Sequence, residues 1–349
     1  MKLITFEPID SIFFREAKPF NAGESGFLDS QFPPPAQTLS GSIRNAIGIA
    51  NGIDWNDKSA VAILLGTADY PTPLSFAGPY LFKNEKRLYP VPLNLLYSEN
   101  TKEWTRLTPS GTEFKTDMGD RQLPKPEKLL EGAKSIEEGW LDAVNMQKVL
   151  NGGLPDSFIA ADDIFVREPR VGIGRDNQKS VVNKEEGLLY FTRHLRLKDG
   201  ITLGMAVDGA TLFPNGMRRF GGEGRLASIT VGTMPKQLDK PTINGQEKGL
   251  ILTLLTHGDF GGKDTPDWSS IHPALKLVTA CIGKPVREGG WDYAKRQPKP
   301  LKSLVPAGSC YFMQVTDGNL AGVVAQLHGI HIGQYIKYGY GEIAVGLWK

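Results

Sequence analysis

The sequence predicts an α+β protein made of two similar halves in tandem with long inserted loops, and three observations predict it. The chain has 349 residues, which favours two hydrophobic cores at about 100–200 residues per domain. Two glycine-rich segments, each followed by an alternating apolar run, recur far apart in the chain. A helical apolar pattern follows the first predicted strand.

The two halves open and close with matching segments. KLITFEPID at 2–10 and GLILTLLTH at 249–257 have the β-branched and aromatic content of a half-buried strand. GGEGRLASITVG at 221–232 and GYGEIAVGLWK at 339–349 each place a glycine-rich turn before a period-two run, which predicts a closing strand. This match indicates an internal duplication.

One helix is predicted within TLSGSIRNAIGIANG at 38–52. We expect Thr38 or Ser40 to cap its start and Gly52 to end it. A strand, a helix and a closing strand match the outline of a ferredoxin-like βαββαβ unit, so we predict two such domains. Spacings of three and four place five apolar residues on one helix face: Leu39, Ile43, Ala46, Ile47 and Ala50.

The domain boundaries follow from stretches without apolar periodicity. Residues 97–160 show little of it, which predicts an exposed arm inserted in the first half. Residues 235–248 are polar with two prolines, which is typical of a linker. We therefore predict an N-terminal domain over 1–234 and a C-terminal domain over 249–349.

The composition limits the classes of function. The content of 40% hydrophobic and 22% charged residues is that of a globular protein. The two cysteines, Cys281 and Cys310, exclude a disulfide scaffold. Charged residues interrupt the N-terminal segment and no apolar run of about 18 residues follows, so we expect a cytoplasmic protein without a membrane partner. The net charge of +2 neither requires nor forbids a nucleic-acid partner.

No catalytic motif is present. The nucleophile elbow G-x-S-x-G and the phosphate-binding loop G-x-x-x-x-G-K-[ST] are both absent. HGIH at 328–331 places two histidines three residues apart but lacks the glutamate of H-E-x-x-H, so we expect packing or surface histidines. We therefore predict no metal site, no cofactor and no catalytic residue.

Three basic segments predict RNA binding instead. RRFGGEGR at 218–225 and VREPRVGIGRDNQKS at 166–180 place arginines beside glycines, where guanidinium groups and bare backbone amides can bind phosphate. REAKPF at 15–20 interleaves cations with aromatic residues, which suits unpaired bases. A tight turn with solvated arginines is the alternative at 218–225. The candidate RNA-binding residues are Arg15, Lys18, Ser40, Arg44, Arg167, Arg170, Gly172, Gly174, Arg175, Arg218, Arg219, Gly221, Gly222 and Arg225.

Four of these arginines are expected to converge on one groove. Each lies beside a helix start or a glycine-rich turn, where backbone donors and a guanidinium can act together on one phosphate. They are Arg44, Arg170, Arg175 and Arg219.

Seven segments, in order along the chain, resemble the third-subunit family of the Cmr complex, the type III-B CRISPR effector. This family belongs to the RAMP superfamily, whose ferredoxin-like, RRM-like domains have a glycine-rich loop before the last strand. GYGEIAVG, with Gly339 and Gly341, fits that description. The segments are FREAKPFNAGESGF, FPPPAQTLSGSIRNAIG, LYPVPLNLL, REPRVGIGRDNQKSVVNKEEGLLYFTRHLRL, RRFGGEGR, PKPLKSLVPAGSCYF and IKYGYGEIAVG.

The resemblance implies a non-catalytic RNA-binding subunit of an antiviral ribonucleoprotein. Such a subunit would bind the repeat-derived 5′ handle of the CRISPR RNA (crRNA). It would also dock the large signalling subunit and the first copy of the filament-forming RAMP subunit.

Three alternatives stay open at this level. Some RAMP relatives cut CRISPR precursor RNA, and His194, in the predicted strand TRHLRL, would be the candidate base of such an endoribonuclease. The equivalent handle-binding subunit of another type III subtype is the second alternative. The third, a protein scaffold without RNA contact, would leave the paired glycine and arginine segments unexplained.

Overall fold

This computed structural model describes residues 1–17, 27–67, 69–117, 119–173, 175–176, 181–182, 189–213, 215–292 and 296–349. None of the helices in this part of the chain has the length and apolar content to cross a bilayer. The helices are α1 (Ala36–Ala50), α2 (Lys58–Leu65), α3 (Ala143–Leu150), α4 (Trp268–Ile271) and α5 (Leu320–Leu327), with a 3-10 turn at Ala161–Asp163.

Short strands make up most of the regular structure, which is therefore α+β and rich in sheet. In chain order the strands are β1 (Lys2–Pro8), β2 (Phe27–Asp29), β3 (Ser75–Lys83), β4 (Lys86–Pro90), β5 (Leu95–Ser98), β6 (Glu103–Thr116), β7 (Gly119–Pro126), β8 (Lys134–Ser135), β9 (Gly139–Leu141), β10 (Ile159–Ala160), β11 (Phe165–Ile173), β12 (Arg175–Asp176), β13 (Val181–Val182), β14 (Leu189–Leu197), β15 (Ile201–Asp208), β16 (Gly216–Arg219), β17 (Leu226–Gly232), β18 (Gly249–Leu254), β19 (Leu275–Cys281), β20 (Val286–Glu288), β21 (Trp291–Asp292), β22 (Gln297–Pro298), β23 (Lys302–Leu304), β24 (Cys310–Val315), β25 (Tyr338–Gly339) and β26 (Ile343–Trp348).

Two compact units share the chain, and each is assembled from three separate segments. The first unit contains Met1–Glu85, Asp162–Met234 and Arg287–Lys302. The second contains Lys86–Ala161, Pro235–Val286 and Ser303–Lys349. The sequential division into 1–234 and 249–349 differs from these units, because segments distant in sequence pack together in each of them.

The first unit is built on an antiparallel sheet in the order β3-β15-β1-β17-β16. Strand β1 lies between β15 and β17, with Ile4 opposite Met205 on one side and Phe6 opposite Ile229 on the other. Leu3, Ile4 and Phe6 of β1 are buried, with Phe6 fully in the core. The predicted opening strand and the predicted closing strand of this half, β1 and β17, are thus confirmed.

The predicted helix is confirmed as α1, with four of its five apolar positions buried and Ala50 exposed. It begins at Ala36, two residues before the expected start. Pro35 occupies the N-cap position and no side chain caps the helix, so the expected caps Thr38 and Ser40 were wrong. Proline favours such a start because its fixed φ suits the turn into a helix.

The second unit contains an antiparallel sheet in the order β19-β24-β18-β26. The predicted opening and closing strands of this half are confirmed as β18 and β26, but all six residues of each are buried, so the expectation of a half-buried opening strand was wrong. Helix α5 packs its Val323, Val324 and Leu327 into the same core.

Residues 97–160 are only partly an exposed arm. Strands β6 and β7 form an antiparallel hairpin whose far end is exposed. The rest is core, since Leu141 of β9 and Met146 and Leu150 of α3 are buried in a cluster of the second unit. A single region therefore combines an exposed hairpin with core elements.

The predicted linker at 235–248 is held against α3. The Gln147 side chain donates to the Asp239 carbonyl at 3.0 Å and accepts from the Asp239 amide at 2.9 Å. Leu238 packs against the hydrophobic cluster that contains Met146. This segment has irregular backbone, but it belongs to the second unit.

Candidate nucleic-acid interface

The glycine-rich loop at 220–225 in the first unit is anchored on one side by aromatic rings. Phe220 is fully buried, with its ring stacked on Phe6 at 4.5 Å and edge-on to Phe14 at 5.1 Å. The Gly222 amide donates to the Phe13 carbonyl at 2.7 Å. Gly221 has φ +85°, and a Cβ there would lie 2.6 Å from the Phe13 oxygen, so only glycine fits.

The other side of this loop is open. Gly224 has φ +68°, and a Cβ added there would meet nothing within 4 Å. Within the described residues, the amides of Glu223 and Gly224 donate to no backbone carbonyl. Free backbone donors on an accessible loop are a binding surface for phosphate.

Arg219 lies at the edge of the same loop with an exposed side chain. Its carbonyl accepts a hydrogen bond from Ser42 Oγ of α1 at 3.0 Å, which fixes the backbone at this position. Its guanidinium makes no ion pair or hydrogen bond with any described residue. Arg219 thus combines a fixed backbone with an available cation.

Two other predicted arginines are neutralised by acidic side chains. Arg225 Nη1 lies 2.8 Å from Asp10 Oδ2. Arg170 Nη2 donates to Ser11 Oγ at 2.8 Å and to Glu168 Oε2 at 3.2 Å, and lies 3.6 Å from Asp10 Oδ2. The structure therefore brings Arg170 together with Arg225, which was not among the four arginines expected to converge, and it does so around Asp10.

Arg196 completes this charged cluster. It contacts Asp10 Oδ1 at 2.6 Å and also hydrogen-bonds Glu168. The Ser11 amide and then Arg196 lower the pKa of Asp10 to about 2. The hydrogen bond from Arg196 also lowers the pKa of Glu168. The sequence patterns did not identify Asp10 or Glu168 as partners of these arginines. An RNA phosphate that binds Arg170 would have to displace both carboxylates.

His194 lies under the glycine-rich loop and is fully buried. Its ring stacks on Phe13 at 4.9 Å, Nδ1 lies 3.3 Å from Ser11 Oγ, and Nε2 lies 3.1 Å from Glu223 Oε2. Burial lowers its pKa and outweighs the opposing effect of Glu223. A histidine enclosed in this way offers no surface to an RNA hydroxyl.

Arg44 and Ser40 of α1 have structural roles. Arg44 Nη2 donates to the carbonyls of Gly66 and Thr67, both at 2.9 Å, just after the last residue of α2. Carbonyls at a helix C-terminus have no partner within the helix, so this contact stabilises α2. Ser40 is fully buried, and its hydroxyl donates to the Gln37 carbonyl at 3.1 Å.

The remaining predicted residues of the basic segments differ in exposure. Arg15 is exposed, and Arg167 is exposed with its guanidinium 4.9 Å from the centre of the Phe165 ring. Gly172 lies against the Tyr190 ring, because a Cβ there would be 2.2 Å from it. Arg218 Nη1 donates to the Met217 carbonyl at 2.7 Å. Lys18, Gly174 and the side chain of Arg175 lie outside the described residues.

The glycine-rich loop of the second unit is closed. Gly339 and Gly341 are buried, and a Cβ on Gly341 would lie 1.9 Å from the Ile332 oxygen. The next residue, Glu342, forms a two-fold hydrogen-bonded pair with the buried Arg87, at 3.0 and 2.8 Å. This loop therefore fixes the fold of the second unit and has no open backbone for a phosphate.

The two histidines of HGIH bind backbone groups. His328 Nε2 contacts the Leu238 carbonyl at 3.1 Å, and His331 Nδ1 contacts the Tyr340 carbonyl at 2.9 Å. In the part of the chain that the structure describes, no group of three or more His, Cys, Asp or Glu residues is arranged to hold a metal ion.

Comparison with known proteins identifies similar chains. Residues 4–348 match the family described as "CRISPR-associated protein (Cas_Cmr3)". A chain in a cryo-EM structure of the Type III-B Cmr-beta bound to cognate target RNA superposes with a TM-score of 0.52 and 14% identity, covering 98% of this chain and 96% of that chain. A second such structure, with cognate target RNA and AMPPnP, gives a TM-score of 0.51 and 14% identity, covering 89% and 86%. No curated protein matches the sequence significantly.

Proposed function

This chain belongs to the Cas_Cmr3 family of CRISPR-associated proteins, and on that premise we propose that it is a non-catalytic, RNA-binding subunit of a type III-B CRISPR effector. Its RNA ligand is the repeat-derived 5′ handle of crRNA. Its protein partners are the large signalling subunit and the first filament-forming RAMP subunit. The two solved relatives named above are Cmr-beta complexes bound to target RNA, which supports an assembly of this kind.

The observation that carries the RNA-binding proposal is the open side of the loop at 220–225. Gly224, whose added Cβ would meet nothing within 4 Å, lies on this anchored loop, and the exposed Arg219 directly precedes the loop at the end of β16. Backbone amides and a guanidinium together bind phosphate more strongly than either alone. Among the predicted arginines, Arg219 is therefore the principal contact, and Arg170 and Arg225 contribute only by exchanging their carboxylate partners for phosphate.

The proposal includes a ferredoxin-like architecture for each unit. In the second unit a strand, a short helix, two strands, a helix and a strand follow in the order β18-α4-β19-β24-α5-β26, with the spatial order β19-β24-β18-β26. In the first unit β1, α1, β3, β15 and β17 have the equivalent order. Sheets of this kind bind single-stranded RNA in several protein families.

Cleavage of precursor RNA is the competing function, and His194 disfavours it. A general base must come within hydrogen-bond reach of the proton it removes. His194 is enclosed by Phe13, Ser11 and Glu223, and its lowered pKa follows from that burial.

The proposal is tested first by purifying the natively expressed protein with its partners and sequencing the bound RNA. We expect RNAs that share one fixed 5′ repeat-derived tag. RNAs without a common 5′ tag, or no RNA, would contradict handle binding and favour a protein scaffold.

A binding titration then tests the site itself. Arg219→Ala should weaken binding of RNA that carries the handle by roughly 10- to 150-fold, the equivalent of about 1.5–3 kcal/mol for a hydrogen bond to a charged group. Lys276→Ala removes another exposed positive charge, from the second unit, and should change the affinity little. Equal binding by the Arg219 variant and the unmodified protein would place the site elsewhere.

A further inference from the structure

The hairpin of β21 and β22 in the first unit has two faces of different character. Trp291 is paired with Pro298, and Asp292 with Gln297. Asp292 of β21 and Glu288 of the preceding strand β20 are buried, at 8% and 2% exposure, while the residue before each of them, Trp291 and Arg287, is exposed. Trp291 is 50% exposed.

The buried and half-buried charged side chains of residues 288–302 are of both signs. Lys299 and Lys302 are half-buried, and Lys299 Nζ donates to Gln37 Oε1 at 2.8 Å. Burial lowers the pKa of Lys299, while Asp69 and Asp292 oppose that effect. Lys299, Lys302, Glu288 and Asp292 thus carry two positive and two negative charges, and all four side chains are at least partly buried.

The outer face has uncompensated positive charge. Arg287 and Arg296 are exposed, and among the described residues neither guanidinium forms an ion pair or a hydrogen bond. Residues 287–302 contain five Lys and Arg residues and only two acids, both of them buried. In sequence, Trp291 lies between the exposed Arg287 and Arg296, and the register of the hairpin places Arg296 directly before Gln297, the partner of Asp292.

A second exposed tryptophan, Trp55, has different surroundings from Trp291. Trp55 is 48% exposed, but its ring lies against Gly48, where an added Cβ would be 2.6 Å from it. Its neighbours in sequence include Asp54 and Asp57. Negative charge there repels a nucleic acid, so charge distinguishes Trp291 from Trp55.

We propose that Trp291, Arg287 and Arg296 form a binding site for an unpaired RNA nucleotide. The base stacks on the indole, and the two guanidinium groups contact the phosphates on either side. Every base has a π-face, so the site accepts any nucleotide and adds affinity without sequence specificity. The proposal rests on the proposed function only for the choice of RNA as the nucleic acid, and it uses residues outside the glycine-rich loop.

The test is an anisotropy titration of the full-length chain with fluorescently labelled single-stranded RNA, with and without a 5′ handle. Trp291→Ala should weaken binding of both RNAs by roughly 5- to 150-fold, the range for loss of one base stack. Trp291→Phe should retain most of the affinity because an aromatic face remains. Trp55→Ala is the matched control and should bind like the unmodified protein.

Titrations at several salt concentrations and a titration with double-stranded RNA complete the experiment. Arg287→Ala and Arg296→Ala should each reduce the slope of log K against log salt by about 0.7 for a single-stranded ligand. Paired RNA of the same sequence should bind Trp291→Ala and the unmodified protein equally, because its bases are not free to stack.

The outcomes separate this proposal from the proposed function. Unchanged RNA binding by Trp291→Ala overturns the stacking site, whatever Arg219→Ala does. Unchanged RNA binding together with loss of the variant from the purified effector shows a protein-docking role for this hairpin and also overturns the proposal. If Trp291→Ala weakens both RNAs while Arg219→Ala and the handle have no effect, the stacking site stands and handle binding fails.

Discussion

The buried ion pair of Arg87 and Glu342 predicts a large and asymmetric effect of mutation on stability. Both side chains are 7% exposed, and two hydrogen bonds of 3.0 and 2.8 Å join them. The guanidinium also lies 4.8 Å from the centre of the Tyr89 ring. Arg87→Met leaves the Glu342 carboxylate without its counter-ion in a site of low water access. We expect the free energy of unfolding to fall by about 3–5 kcal/mol.

The double variant Arg87→Met with Glu342→Leu should be more stable than Arg87→Met alone. The double variant loses the attraction between Arg87 and Glu342, but it also leaves no unpaired charge in the core. Replacing both members of a buried ion pair by apolar residues often leaves the free energy of unfolding nearly unchanged. The coupling between the two positions should therefore be about 2 kcal/mol or more, within the range for residues in direct contact.

The assay is urea unfolding at pH 7, followed by intrinsic fluorescence, for the unmodified chain, both single variants and the double variant. Lys102→Ala is the control, because Lys102 and Glu99 form a fully solvated pair, 69% and 57% exposed, and solvated pairs contribute little. A loss below about 1 kcal/mol for Arg87→Met, or additive effects in the double variant, would refute the argument from burial.

Further predictions concern the glycine loops, the pH dependence of stability and the RNA. Gly341→Ala should cost about 3–5 kcal/mol because its Cβ would meet a backbone oxygen at 1.9 Å, whereas Gly224→Ala, at a similar positive φ but in open space, should cost only about 1–2 kcal/mol in urea unfolding. Burial holds the pKa of His257 at about 4, below the usual 6.5, and its Nδ1 accepts from the Ala307 amide at 2.9 Å. The unfolded chain therefore binds a proton between pH 6.5 and pH 4 that the folded chain does not, so stability should fall by about 3 kcal/mol as the pH drops through this window. His257→Asn should lack that part of the slope in unfolding measured at a series of pH values. Affinity for handle RNA should fall as salt rises, and salt-insensitive binding would mean that the basic loop is not the contact. Repeat RNA incubated with the isolated chain should stay intact, and cleavage that disappears in His194→Ala would contradict a non-catalytic role.

Local patterns in the sequence predicted four strands, one helix and the family. The β-branched and aromatic content of the opening segments located β1 and β18, and a period-two run after a glycine-rich turn located β17 and β26. The spacing of apolar residues located α1, although its start was misplaced by two residues. The order of seven motifs along the chain indicated the family that the comparison over residues 4–348 shows.

Packing between distant segments determined which arginines and which glycine-rich loop are accessible to a ligand. Asp10 neutralises Arg225 across 215 positions, and Ser11 binds Arg170 across 159, so a local motif of arginines and glycines cannot show which cations are available. The two glycine-rich loops look alike in sequence, yet the Ile332 oxygen closes one at Gly341, while the space around Gly224 leaves the other open. Exposure and charge compensation depend on tertiary neighbours, and for this reason only the folded chain separates Arg219 from the other predicted arginines and shows that Trp291 is exposed.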